Sequence, residues 1–537
     1  MLSSRVLTIR VSGKDRKERV RKLLFDLAHF KNLLIILIRK YKELYGYYPT
    51  DQSILYGLIA DREYSSKKEE KLQKFKEVRE NILKDKELTE LLLALKEQKK
   101  RVDNNYLLQQ VIRDVVKSFK SYRKAYKEYQ KNPKKFKGVP RPPKPKKLKF
   151  LMNFSVDLNV NTFEQLEDSV LIRLRIHNKE FLKVKLPKDF NFEVKSLRLK
   201  LFGTDIYVDT VYKVEVSELQ TAGEYAAGID LGLNNLIAVV STNSDLKSLI
   251  ISGKEIKAFN QWFNKEKAKL QSEIDTIRNK LSQVEEEGEA QNLKRLLTEN
   301  LIILKELSAY RKRRIDNDFH KISRKVVDIL KATDHKKLYI GKGATESKDG
   351  INIGKKNNQH FVSVPFRRLM ELIKYKAEEV GIEVEVEETD EAFTSKTSPL
   401  ADIFEVREVG KEYLKAKEEE NESLIKELLI KLKELTQAVR GFKECRGLLK
   451  DKVLNKIFNA DLVGAYNIIR VGENSLRLIE DLKLLFIKLC NPVKFKLVEF
   501  LYKVSPGSLH KETGSSSSLR AGLSPFDYQL CNNLTTF

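Results

Sequence analysis

The spacing of apolar residues changes period several times along this chain, and each change marks a boundary. Residues 5–11, Arg-Val-Leu-Thr-Ile-Arg-Val, alternate and predict a strand. From Lys14 to Tyr45 the spacing turns helical, with Val20, Leu23, Leu24, Leu27, Phe30, Leu34 and Leu37 on one stripe. Helical periodicity continues to about Gln130, broken at Tyr48-Pro49-Thr50-Asp51. From residue 150 to about 216 the period becomes two. Phe150–Val160, Val170–Ile176, Phe181–Leu186, Val194–Leu201 and Ile206–Val216 predict five short strands of a small β-barrel or sandwich. The strand at 5–11 can join it, with the helical block inserted between.

A second run of elements starts at Gly228-Ile229-Asp230-Leu231-Gly232, followed by Asn234-Asn235-Leu236-Ile237-Ala238-Val239-Val240. Two Ile/Val-rich runs about a glycine predict a hairpin. Ser248–Ser252 predicts a third strand. Leu270, Ile274, Ile277, Leu281 and Val284 keep the 4-3-4-3 spacing of a paired-helix seam. Glu285-Glu286-Glu287-Gly288 turns the chain, and Leu293, Leu296, Leu297, Ile303, Leu304 and Leu307 return. A helix with a basic start, Arg311-Lys312-Arg313-Arg314, runs to Leu330. Next come a buried strand at 337–341, a Gly/Lys/Asn loop at 341–359, a helix at 365–380 and a strand at 382–386. Residues 402–457 are expected to be charged and helical. Asn459-Ala460-Asp461 caps a helix to about Arg470, an amphipathic stretch reaches Tyr502, and Ser505–Ser524 reads as disordered.

Charge changes the picture more than composition does. The 537 residues carry a formal charge of +26, which calls for a polyanionic partner. No helix sets Trp and Phe opposite its lysines, so nucleic acid is favoured over a membrane surface. The longest early apolar run, Leu33–Ile38, is too short to span a bilayer. No signal peptide is apparent, and three scattered cysteines, Cys445, Cys490 and Cys531, argue for a reducing compartment. The expectation is a cytoplasmic, nucleoid-associated protein of a prokaryotic-type cell. Abundant Lys and Glu with three Met point to a thermophilic host.

Two basic stretches are candidate contacts. The helix before Gln130 carries Phe119, Tyr122, Tyr126 and Tyr129 on one face, interleaved with Lys117, Lys120, Arg123, Lys124 and Lys127. It reads either as a surface that stacks on nucleic acid or as a buried aromatic stripe with solvated lysines. Residues 131–149 form a Pro/Lys strap containing Lys134, Lys135, Lys137, Arg141, Lys144, Lys146 and Lys147. Its X-Pro units hold it extended, and its lysines repel one another without a polyanion.

Asp230 supplies the first chemical clue. A lone carboxylate on a buried strand is costly unless it is paired or binds a cation. Three strands followed by alternating helix and strand is the element order of a ribonuclease-H-like sheet, whose nucleases converge carboxylates on two divalent cations. Asp461, in the first turn of the closing helix near the small Gly464 and Ala465, is the candidate last acid. A charge complementing the helix dipole is the other reading.

Four segments in order then carry a family resemblance. They are Gly228–Gly232, Asn352–Gln359 with Pro365–Leu369, Glu391-Ala392-Phe393-Thr394-Ser395-Lys396-Thr397-Ser398, and Asn459–Ile468. Over about 230–470 they resemble the RuvC core of the transposon-encoded TnpB family, which is related to type V CRISPR effectors and Fanzor proteins. The resemblance implies an α/β multidomain chain. A RuvC core with a helical hairpin insertion follows a small wedge-like β-barrel domain that carries an inserted helical recognition lobe. The expected divisions are 1–13 (first barrel strand), 14–130 (recognition helices), 131–149 (strap), 150–218 (rest of the barrel) and 225–398 (nuclease core). Then follow 399–457 (charged helical insert), 458–474 (closing helix) and 475–537 (extension).

The implied activity is Mg2+- or Mn2+-dependent DNA cleavage. A guide RNA from the transposon end would select a double-stranded DNA target by pairing. The oligomeric state stays open. The family's usual second acid would stand at Gly341, and the resemblance to a rearranged subset gives its role to Glu391, with Glu346, Glu388 and Asp390 behind it. Asp230, Glu391 and Asp461 are then the expected metal ligands. Lys342, Lys355, Lys356, Asn357, Asn358, Lys396, Arg313 and Arg314 join the strap, Tyr122 and Tyr126 as expected nucleic-acid contacts. Many relatives insert a zinc ribbon, but Thr397 and Ser398 stand where its cysteines would begin, so no structural zinc is expected. A cleavage-dead RNA-guided DNA-binding repressor and a strand-transferring transposase are the alternatives.

Overall fold

The computed structural model describes residues 2–61, 69–148, 151–188, 190–215, 223–341, 364–386, 396–419, 421–440 and 447–503. It shows a mixed α/β chain in two compact units. One comprises Met1–Glu218 with Trp262–Ile315, the other Leu219–Gln261 with Asp316–Phe537.

The first unit opens with strand β1 (Leu2–Arg10), then helices α1 (Lys14–Tyr45), α2 (Gln52–Ala60), α3 (Glu69–Lys84), α4 (Lys86–Val102) and α5 (Asn105–Lys131). Side chains start three of them: Asp51 accepts from the Ser53 and Ile54 amides, Asp85 from Leu88 and Asn104 from Leu107. Strands β2 (Asn153–Leu158), β3 (Phe163–Gln165), β4 (Ser169–Arg175), β5 (Glu180–Lys185), β6 (Val194–Phe202) and β7 (Asp205–Glu215) follow. They form two hydrogen-bonded sheets, β1-β7-β6-β2 and β3-β4-β5. β1 pairs antiparallel with β7 from Leu2–Glu215 to Arg10–Tyr207, so the five helices sit between two strands that are neighbours in space. The α1 stripe from Val20 to Leu37 is buried in the same core as Phe154, Leu199 and Val208.

Strands β8 (Tyr225–Leu231), β9 (Asn235–Ser241) and β10 (Leu249–Ser252) begin the second unit. Helices α6 (Lys254–Leu281) and α7 (Glu287–Ala332) then make a long hairpin, of which 262–315 belongs to the first unit. There Gly203, at φ +64° in the β6–β7 turn, leaves room for Glu306, which accepts from the Thr204 amide at 2.9 Å.

The chain returns through β11 (His335–Ile340), α8 (Phe366–Glu379), β12 (Glu383–Val386), α9 (Ile403–Glu418) and α10 (Glu422–Leu435). Next come β13 (Ala438–Arg440), β14 (Leu448–Asp451), β15 (Ile457–Asn459), α11 (Ala460–Gly472), α12 (Leu482–Cys490), β16 (Val493–Phe495) and α13 (Leu497–Lys503). The main sheet has the order β12-β11-β8-β9-β10-β16. β8, β9 and β10 run antiparallel, β11 and β12 continue parallel to β8, and β16 lies parallel to β10.

Two expectations need correction. Residues 402–457 are helical only to Leu435; β13, β14 and β15 then form an antiparallel sheet. Asn455, at φ +53°, makes the β14–β15 turn, and the Asp451 amide donates to Lys456 O at 2.9 Å. The strands are three or four residues long, too short for a period of two to stand out among the charges. The amphipathic stretch after 475 likewise contains a strand, β16, between two helices. Among the described residues no helix is long and apolar enough to cross a membrane.

α11 lies against one face of the sheet, in a core with Ala226, Ala238, Val240, Ile250 and Tyr339. A Cβ added at Gly228 would strike the Ala465 carbonyl oxygen and lie 2.6 Å from Ile469 Cγ1. Gly228→Ala is therefore expected to cost about 1–3 kcal/mol, read as a lower urea midpoint.

His335 is fully buried. Its Nδ1 donates toward Leu330 O (3.1 Å) and Thr333 Oγ1 (2.9 Å), and its Nε2 accepts from Ser241 Oγ at 2.6 Å. Burial holds its pKa down at about 4. The folded protein thus refuses a proton that the unfolded chain accepts near pH 6.5, so this stability is full above pH 6.5 and is lost as pH falls toward 4. The loss should total about 3 kcal/mol. Urea titrations across that window should show a smaller acid loss for His335→Gln.

Candidate active site

Asp230 and Asp461 are brought to one end of the sheet by separate local devices. Asp230 follows Gly228 by two residues on β8, so both face α11. Asp461 precedes Ala465, the residue over Gly228, by one helical turn. The Asn459 side chain caps α11, accepting from the amides of Asp461 (3.1 Å) and Leu462 (3.2 Å). Asn235, at the start of β9, donates its Nδ2 to Asp461 Oδ2 at 2.7 Å. The Gly232 amide closes the β8–β9 turn on Leu236 O at 3.3 Å. Both carboxylates are half-buried.

The neighbouring strands finish at the same edge. Ile340 of β11 pairs with Ile229 on one side and Val386 of β12 on the other, and the Gly341 amide donates to Ile229 O at 3.0 Å. Glu391, with Glu346, Glu388, Asp390, Lys342, Lys355, Lys356, Asn357 and Asn358, lies outside the described residues. Among the described residues no three His, Cys, Asp or Glu side chains gather as a metal site. Asp230 and Asp461 offer oxygen only, the donor chemistry of Mg2+ or Mn2+ rather than of a thiolate-bound metal.

The end of the Glu391 motif is tied to the closing helix. Lys396 is exposed, whereas Thr397 and Ser398 are buried. Asn467 Nδ2 donates to Thr397 O at 3.1 Å. Arg470, fully buried, donates to Leu476 O (2.8 Å), Asn467 Oδ1 (2.8 Å) and Ala401 O (2.7 Å). Burial lowers its pKa to about 10, so it stays charged. Ser398 Oγ donates to the buried Asp451 carboxylate, which also accepts from the Val453 and Leu454 amides. Hydrogen bonds thus hold the insert at the position where cysteines would begin a ribbon. Sequence reasoning missed Asn235, Asn467 and Arg470. A lone arginine among Leu462, Val463, Ala465, Ile468 and Ile469 was the available signal for the last.

In the first unit the aromatic stripe of α5 divides. Phe119 is fully buried against Tyr48 (5.1 Å), Tyr122 is half-buried and Tyr126 is exposed. Tyr129 packs edge-on against Phe136 of the strap at 5.9 Å. Lys134, Lys135, Lys137, Arg141, Lys144, Lys146 and Lys147 are all exposed, and Lys135 pairs with Glu128 at 2.6 Å. Buried Asn32 of α1 grips the strap backbone twice, donating to Lys146 O (2.7 Å) and accepting from Lys146 N (2.8 Å). Arg313 is engaged by Glu306 (2.6 Å) and Asp205 (3.7 Å), while Arg314 is exposed. Asn32→Ala is expected to cost about 1–2 kcal/mol and to speed tryptic cutting after Lys146 and Lys147. An unchanged proteolysis rate would show that the strap is held by other contacts.

Comparison with known proteins gives three findings. The family model OrfB_IS605, described as a probable transposase, matches residues 209–346, a stretch that includes Asp230. A cryo-EM structure of a Cas12f1–sgRNA–target DNA complex aligns at 14% identity over 87% of this chain and 98% of that one, with a TM-score of 0.27. A CRISPR–Cas12f ternary complex aligns at 13% identity over 85% and 82%, with a TM-score of 0.28. No curated protein matches. Over residues 209–346 this chain is similar to the OrfB_IS605 probable transposases.

Proposed function

We propose that the chain is an RNA-guided DNA endonuclease of a transposon, with a RuvC-like core that holds divalent metal on Asp230, Asp461 and Glu391. The observation that carries this reading is the placement of Asp230 and Asp461 at one sheet edge, across the Gly228–Ala465 contact. The family match over the Asp230 segment supports it. Bound there, Mg2+ or Mn2+ would activate water and offset charge on the scissile phosphate. The protein's own part is orientation. Asn459 and the first turn of α11 fix where Asp461 starts, and the Asn235 amide fixes its carboxylate. Gly228 keeps the helix close enough for Asp230 to share the edge. The exposed strap lysines fit contact with the phosphates of guide or target.

Gly341, in place of the family's usual glutamate, favours a second reading, a repressor that binds DNA under RNA guidance without cutting. One experiment separates them. Purified protein is given guide RNA, matched duplex DNA and Mg2+ or Mn2+. Cleavage is expected, and Asp230→Ala or Asp461→Asn should lower its rate by about a hundredfold or more while target binding persists. Glu391→Gln should do the same; a fully active Glu391→Gln would remove that residue from the site. Binding by the unaltered protein without any nicking would favour the repressor. Strand-transfer products formed without RNA would favour a transposase.

A further inference from the structure

One group of cations in the second unit lines a groove. On α7, His320, Lys321, Arg324, Lys325 and Asp328 fall at i, i+1, i+4, i+5 and i+8, a single helix face. That face, Tyr375 and Lys376 of α8, and Leu501 and Tyr502 of α13 line a cavity of about 650 Å3. Arg368 stands at its rim, 3.4 Å from His320 Nε2. Lys321, Arg324, Lys325, Arg368 and Lys376 outnumber the acids near them, Asp316, Asp328 and Glu379. Among the described residues, none of α7, α8 or α13 belongs to the core around α11, and neither Asp230 nor Asp461 lines this groove.

The groove is braced and carries aromatic rings. Lys376 is only 3% exposed, and its Nζ donates to His320 O (2.6 Å) and Ser323 Oγ (2.7 Å), which ties α8 to α7. Burial and the neighbouring Arg324 hold its pKa down at about 8. Lys325 donates to Leu501 O at 3.1 Å and ties α13 to α7. Arg324 reaches Glu379 at 2.8 Å. Tyr502 is 71% exposed; Lys321 lies 5.3 Å from its ring centre and donates to its hydroxyl at 3.2 Å. Tyr375 is 38% exposed beside Lys376.

Crowded cations raise one another's free energy, and a phosphodiester chain relieves it. An exposed ring beside them offers a base a stacking platform. An acidic peptide would meet the cations but leave the Tyr502 face without use. We propose that this groove binds a single strand of nucleic acid, with phosphates on Lys321, Arg324 and Arg368 and a base stacked on Tyr502. The proposal rests on the nucleic-acid reading for the class of partner and requires no cleavage.

The test uses the full-length chain with short RNA and DNA oligonucleotides of one sequence, without metal, so that a failed cleavage assay leaves it untouched. Ultraviolet cross-linking followed by peptide mapping should place adducts on the peptides bearing Tyr375 or Tyr502. Tyr502→Ala should weaken binding roughly tenfold. Lys321→Ala should make the slope of log affinity against log salt shallower by about 0.7. An effect confined to the RNA arm assigns the groove to RNA, and one confined to DNA assigns it to DNA. Adducts absent from both peptides, with affinity and salt slope unchanged in both variants, would overturn the proposal, as expected if the groove serves a protein partner.

Discussion

The contact between α11 and β8 at Gly228 is the constraint on which the candidate site depends. A helix normally rides on a sheet at the distance its side chains require. Here the strand gives up its side chain, and the Ala465 backbone occupies the space. The same device recurs where a Cβ at Gly472 would enter the Tyr339 ring. Along its length α11 buries Leu462, Val463, Ile468 and Ile469 with Tyr339 and Ala226. That apolar surface sets the depth and direction of the helix. Asp461 inherits its position from this packing, and Asn235 corrects only the last rotation of its carboxylate. A small residue at 228 is therefore as much a part of the site as the acids are.

Charge is organised by a second rule. The cations that are fully enclosed are spent on the fold. Arg470 meets two carbonyls and an amide oxygen, Lys488 meets the carbonyls of Asn243 and Leu246, and Lys376 meets a carbonyl and a hydroxyl. Neutral oxygen atoms satisfy these ammonium and guanidinium groups without cancelling their charge. The excess of +26 consequently has to be carried by the protein as a whole and shows at the surface, as in the strap and around Lys321. Asn32 adds a structural point. By pinning the strap through its backbone, it orders the segment without using any of the lysine side chains. Ordering such a segment before a ligand arrives reduces the entropy that binding must cost.

Much of this was legible in the sequence wherever an element was long and strongly periodic. The stripe from Val20 to Leu37 and the Ile/Val hairpin around Gly232 announce themselves, because a period of 3.6 or 2 repeats often enough to be counted. The sheet β13-β14-β15 was not legible, because no strand there exceeds four residues and Lys and Glu surround it. Asp230 was recognisable by the cost of a carboxylate among Ile and Leu. The long-range side-chain supports of the structure were not. Asn235 and Asp461 are 226 residues apart, and Asn32 and Lys146 are 114 apart. A side-chain amide has no local pattern that reveals a partner so distant. The aromatic stripe of α5 shows a further limit. One periodic face runs from the buried Phe119 to the exposed Tyr126, so periodicity gave the face but not where the core ends along it.

The middle acid can be argued from reach. β11 and β12 are parallel and end level, with Val386 beside Ile340 and Ile340 beside Ile229. β12 is two strands from β8, which is roughly 10 Å across the sheet. The five steps from Val386 to Glu391 span at most about 18 Å when extended. That length exceeds the distance across the two strands, and Gly341, which follows β11, carries no side chain. The same length test passes for Asp390, whereas the two steps to Glu388 span only about 7 Å. The residues that follow Glu391 are held from the other side. Thr397, six positions on, is bonded to Asn467 of α11, and Arg470 holds Ala401. The described backbone is thus fixed at β12 on one side of this stretch and at the closing helix on the other.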